Sequence, residues 1–183
     1  TPIGFVPTED ALTLDGLEVR VGVTAIGRGD ARIRLRAHGP TVSGADVVRR
    51  LAAGVLEWWR SLPTGLEHGV TLDERPPGSG ELAVEVAFDG DLVPRPATDG
   101  AVVLAALDVV RLRYSGIVAF DADGARLPAR MDVEGGRVVL RVDDRGARYP
   151  VVIDPLVGRE EARLVSRAPA SGDTLGTSVA ISM

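Results

Sequence analysis

Brief runs in which every second residue is apolar, each cut off by glycine, proline or aspartate, recur along most of this 183-residue chain. An extended strand points its side chains alternately to two faces, so such runs encode half-buried strands and the breakers encode tight turns. The pattern predicts an all-β fold: an antiparallel, sandwich-like domain containing a β-meander. Leu17, Val19, Val21 and Val23 alternate with Glu18 and Arg20, Gly27-Arg28-Gly29-Asp30 forms a turn, and Ile33 and Leu35 alternate with Arg32, Arg34 and Arg36 on the way back. Leu82, Val84, Val86 and Phe88 make a further strand after the break Pro76-Pro77-Gly78-Ser79-Gly80. Residues 117–120, 127–133, 138–142 and 149–153 are four more, joined through Asp121-Ala122-Asp123-Gly124, Gly135-Gly136 and Arg145-Gly146, and they form the expected meander.

Residues 46–62 satisfy two periods at once. Val47, Leu51, Val55, Trp58 and Leu62 fall at helical spacing behind a capping Asp46. Gly54 counts against that helix by about 1 kcal/mol. Pattern alone places a helix slightly ahead of two strands turning at Ala53-Gly54.

Composition excludes several chemistries. Hydrophobic residues make up 45% of the chain, enough for a packed core, yet Arg, Asp, Gly or Pro interrupts every apolar run short of the roughly 18 residues of a membrane helix. The net charge is −5 and the arginines stand singly or in pairs, so no basic stripe offers the counterion release on which nucleic-acid binding depends. All 21 basic residues are Arg, which rules out a lysine Schiff base or a P-loop lysine. With no Cys there is no thiol nucleophile, disulfide or thiolate metal site, and no cofactor is expected. The chain opens at Thr1 with neither an initiator Met nor a basic-then-apolar leader, so a preceding segment is expected to have been removed.

Few residues suggest a site. Asp121 and Asp123 before Gly124 are either half of a calcium loop or a hairpin tip, where Asp and Gly supply the turn geometry. Asp143-Asp144 before Arg145-Gly146 carries the same two readings. His38 and His68 are the only imidazoles, and neither has a metal-ligand spacing around it. A triad of His68 with Glu67 and one of Ser61, Ser79 or Ser115 would need the fold to assemble it, because no Gly-x-Ser-x-Gly elbow is present. Glu67 with Glu74, or Glu57 with Asp73, are carboxylate pairs that would flank a sugar if brought together. Trp58-Trp59 stands out in a chain only 4% aromatic. On a strand the two indoles face opposite ways, one into the core and one toward solvent, a glycan or a neighbouring domain. Asp154-Pro155 is expected to end the last strand and open a linker, with self-cleavage at that bond as the alternative.

The tail carries the most specific wording. Glu161-Ala162-Arg163-Leu164-Val165 leads through Ser171-Gly172-Asp173 into Leu175-Gly176-Thr177-Ser178-Val179-Ala180-Ile181-Ser182, which resembles the opening of an FG-GAP repeat, the blade unit of integrin-alpha-like β-propellers, with Leu175 where that family has Phe. Upstream, Gly65-Leu66-Glu67-His68-Gly69, Asp121-Ala122-Asp123-Gly124-Ala125-Arg126-Leu127-Pro128-Ala129 and Ala147-Arg148-Tyr149-Pro150-Val151-Val152-Ile153-Asp154-Pro155 resemble the N-terminal β domain found ahead of such repeats in bacterial, myxobacterial-type surface proteins. The resemblance implies β structure for residues 46–62, which reverses the helical preference. It divides the chain into a β domain over 1–157 and a linker with the first strands of a blade over 158–183. It also implies a non-enzymatic, extracellular or cell-surface module acting in adhesion, ligand recognition or surface assembly, with its own downstream propeller and a protein or glycan ligand as partners. Alternatives are a strand-exchanging subunit of an oligomer or fibre, self-associating through the C-terminal strands, and a carbohydrate-active or hydrolytic domain.

Overall fold

A computed structural model describes residues 5–7, 12–14, 20–36, 39–43, 46–62, 65–90, 92–107 and 109–159. His38, the segment containing Leu17 and Val19, and the blade-like tail from residue 160 onward lie outside the described residues. Every regular element among those described is a strand. The eight-stranded sheet has the spatial order β10 (Val93–Pro96), β11 (Val102–Ala106), β12 (Val109–Phe120), β15 (Val151–Arg159), β8 (Gly65–Leu72), β7 (Val55–Leu62), β6 (Asp46–Ala52), β5 (Thr41–Ser43). A five-stranded sheet has the order β13 (Ala129–Glu134), β14 (Arg137–Val142), β9 (Leu82–Asp89), β3 (Arg20–Arg28), β4 (Ala31–Arg34). A separate two-stranded ribbon pairs β1 (Phe5–Pro7) with β2 (Leu12–Leu14). All pairings are antiparallel.

The two large sheets face each other across one core. Val21, Val23, Val84, Val86 and Leu140 come from the five-stranded side, and Trp59, Val70, Leu112, Tyr114 and Ile153 from the eight-stranded side. The outer face of the five-stranded sheet is closed by an ion-pair ladder in which Arg32 and Arg141 both hold Glu134, while Arg137 meets Glu85. The aliphatic stems of these arginines cover the sheet while their heads pair with the carboxylates. Both sheets therefore bury one face in the manner an alternating sequence requires.

Residues 46–62 are two strands. β6 and β7 form a hairpin whose tip is Ala53-Gly54, with Gly54 in the left-handed region at φ 67°. What decides against a helix is the inward set Val47, Arg49, Leu51, Glu57 and Trp59, which has period two and is buried. A helix would have scattered these five around its circumference.

Two expectations are corrected. The strands expected over 117–153 exist, but they are not consecutive neighbours in one sheet: β12 and β15 pair with each other in the eight-stranded sheet, whereas β13 and β14 lie in the other. The chain crosses between layers before β13 and again after β14; the runs that do meander are β5 to β8 and β10 to β12. Nor does Asp154-Pro155 end the last strand, since β15 continues through it to Arg159. An interior strand accepts a proline only where the ladder needs no N–H, and here a bulge in β12 sets Gly116 and Ile117 opposite Pro155, with Gly116 at φ 64°.

Candidate functional site

The inward positions of β6, β7 and β8 carry polar residues where apolar ones would be expected. Arg49 is registered with Glu57, and Trp59 with His68, so three neighbouring strands bring these side chains to one spot. Tyr114 reaches the same spot from β12. His68 Nδ1 lies 2.6 Å from the Tyr114 hydroxyl and its Nε2 lies 2.9 Å from Glu57 Oε1. Glu57 Oε2 accepts from Arg49 Nε at 3.0 Å and Nη2 at 2.6 Å. Glu57 Oε1 also accepts the backbone N–H of Val23 at 2.8 Å, from the opposite sheet. That N–H is free because the register of β3 against β9 shifts between Val23 and Ala25.

The proton arrangement follows from the acceptors. Burial, first, and the Glu57 charge hold the Tyr114 phenol well above its ordinary range, so it keeps its proton. Its hydroxyl donates to His68 Nδ1, and the Nε2–H of His68 donates to Glu57. Trp59 stacks on His68 with ring centroids 5.3 Å apart and planes 9° from parallel, and Arg49 lies over the other side of the indole at 5.0 Å. Glu57, His68 and Tyr114 are 0% exposed. Each of their charges and ring nitrogens already has a partner, and none can meet a reagent from outside. This cluster braces the two sheets.

A second buried cluster lies near the loop after β14. Asp144 takes two bonds from Arg28, at 2.9 and 2.6 Å, and one from the Tyr149 hydroxyl at 2.5 Å. Burial pushes Asp144 upward, but the bonds from Arg28 and Tyr149 and the charges of Arg28 and Arg75 outweigh it and hold the carboxyl below the usual range. Arg28 also ties down the proline-glycine break, donating to the carbonyls of Pro76 and Gly80.

The remaining predicted residues are placed as follows. Asp121 and Asp123 form a hairpin tip whose oxygens are occupied: Asp121 Oδ1 accepts the N–H of Asp123 and of Ala125, both at 2.9 Å, and Asp123 pairs with Arg148 at 2.8 Å. Those backbone donors, Ala125 first, hold Asp121 below its ordinary pKa. Asp143 is drawn down to about 2 by Arg145. No group of three or more metal-ligating side chains occurs among the described residues. The carboxylate pairs are not assembled, because Glu57 faces the core while Asp73 sits exposed beside the Gly54 tip, and Glu67 faces outward, away from Glu74 in the loop beyond β8. None of Ser61, Ser79 and Ser115 bonds His68.

Trp58 and Trp59 do face opposite ways. Trp59 is sealed in the core. Trp58 lies flat on the outer face over Gly69, where a Cβ would stand 1.9 Å from the ring, and it donates to Thr71 Oγ1 at 3.2 Å. Arg60 covers its other side at 5.6 Å. Arg60 pairs with Asp46 through two bonds of 2.8 Å and approaches Glu67 at 3.6 Å. Beyond Glu67 comes Asp154, which burial and the Glu67 charge push up to about 6. A line of charges thus crosses the outer face beside a half-buried indole.

Sequence reasoning missed Glu57 and Tyr114 as partners of His68, with Arg49 as the partner of Glu57, and missed the Arg28–Asp144–Tyr149 cluster. A usable signal for the first was the presence of Arg49 and Glu57 in register with Val47, Leu51 and Trp59. Charges at inward positions need each other. No family profile, curated protein or solved structure matches this chain.

Proposed function

We propose that this chain is a non-enzymatic recognition or assembly module, and that it stands ahead of a β-propeller in a secreted or surface protein. The observation that carries the reading is the fate of the single candidate catalytic imidazole among the described residues. His68 is wholly buried and spends both ring nitrogens on Tyr114 and Glu57, so its chemistry supports the core. The polar and aromatic groups left for a partner are on the outer face around Trp58 and along the sheet edges, which suits binding better than turnover. The placement before a propeller rests on the FG-GAP-like wording of the tail.

The test is to present the full chain to glycan and peptide arrays and, in parallel, to chromogenic glycosides and esters. Saturable binding without turnover is the expected outcome. Hydrolysis that disappears in a folded His68→Gln variant would refute the reading.

A further inference from the structure

Of the sheet edges, most are blunted. β10 carries Pro94 and Pro96, β5 is three residues long, and β13 presents Arg130, Asp132 and Glu134. β4 differs. Among the described residues it pairs only with β3, leaving its other side open. Leu35 donates its N–H to the Thr24 carbonyl, so by antiparallel alternation Ile33 also bonds toward β3, while Arg32 and Arg34 turn their N–H and C=O groups outward.

The side chains along this edge alternate in chemistry as well. Ile33 is registered with the core residue Ile26 and points the same way, yet it is 65% exposed because the facing sheet does not cover it. It opens onto a groove of about 530 Å³ between the sheets, floored by Ile26, Leu35 and Val55 and walled by Pro76 and Pro77. On the other face, Arg32 is neutralised by Glu134 and Glu85, but Arg34 and Arg36 have no ion-pair partner among the described residues. Among the described residues the edge thus offers unpaired backbone, an apolar slot on one face and two cations without an ion-pair partner on the other.

We propose that β4 is a strand-addition site for an extended acidic segment of another protein, alternating apolar and carboxylate side chains. The apolar residues enter the slot beside Ile33 and Leu35, and the carboxylates lie across from Arg34 and Arg36. A second copy is a poor occupant, because an antiparallel β4–β4 pair centred on Ile33 sets Arg32 against Arg34 on the same face, and like charges opposite one another destabilise a sheet. This deepens the recognition reading and rests on it.

The probe is a fluorescein-labelled, end-blocked octapeptide alternating Val and Glu, titrated against the full chain by fluorescence anisotropy, with a Val–Lys octapeptide as control. Saturable binding of the Val–Glu peptide alone is expected. Arg34→Glu with Arg36→Glu, both at exposed positions, should weaken it roughly tenfold and admit the Val–Lys peptide. Arg34→Pro, which removes an outward N–H and no internal bond, should abolish binding of the Val–Glu peptide. Equal affinity of wild type and the charge-reversed variant overturns the proposal. So does binding that emerges only after residues 160–183 are removed, or a self-associated state that Arg34→Pro disperses. An array ligand that binds Arg34→Pro as well as wild type removes β4 as the site while leaving the recognition reading standing.

Discussion

Replacing Glu57 by Gln tests whether the buried Arg49–Glu57–His68–Tyr114 cluster holds the two sheets together. The amide oxygen of Gln can still accept from Val23 and His68, which lie 2.8 and 2.9 Å from Oε1. Its NH2 group, however, takes the place of the oxygen that Arg49 meets at 3.0 and 2.6 Å, so donors confront donors. Arg49 is only 4% exposed and has no water to fall back on. Removing one partner of such a pair costs about 3–5 kcal/mol, a large share of the roughly 5–15 kcal/mol by which a domain is stable. With a urea dependence of about 2 kcal/mol/M, the unfolding midpoint should fall by roughly 2 M. Adding Arg49→Met removes the stranded charge, and the double variant should recover to within about 1 kcal/mol of wild type. Urea unfolding followed by circular dichroism measures all three proteins. A single variant within about 1 kcal/mol of wild type, or a double variant no better than the single, would refute the reasoning.

Gly69→Ala should displace the Trp58 ring, destabilise by about 1–3 kcal/mol through overpacking and shift the tryptophan emission; Trp58→Leu in the same chain should relieve most of the loss. Asp154 has a folded pKa raised from 3.8 to about 6 by burial and by Glu67, against the opposing pull of Arg60, so the folded state holds its proton more tightly. Its contribution is full below about pH 4 and is lost as pH rises toward 6. Relative to wild type, Asp154→Asn should therefore gain stability between pH 4 and 6, reaching on the order of 1 kcal/mol at neutral pH after solvent screening, as read from paired thermal melts. Asp121→Ala should lower the melting temperature by freeing the N–H groups of Asp123 and Ala125. Calcium or a chelator should leave the wild-type melt unchanged, because those oxygens already serve the turn.

Trp58 and Trp59 show what could be read without coordinates. Alternation alone assigned them to opposite faces, and the same rule located β9 and the hairpin of β3 with β4. Register is another matter. The rule could not tell that Arg49, Glu57 and His68 would share one inward spot with Tyr114, because the partners come from four strands, one of them 46 residues away from His68. The edge at β4 was equally hidden: Ile33 looked like any inward residue of a strand, and it stands open because no strand among the described residues faces it.

The amino-acid sequence by itself determined that this chain makes short antiparallel strands with one buried face, since period two and the turn residues act within a few positions of one another. The tertiary structure alone decided which strands became neighbours, that β13 and β14 leave the sheet of β12 and β15, and that Pro155 rides through a bulge instead of ending a strand. The physical reason is that pairing and layer choice are settled by contacts between residues far apart in the chain, where burial, charge compensation and backbone satisfaction must be met together.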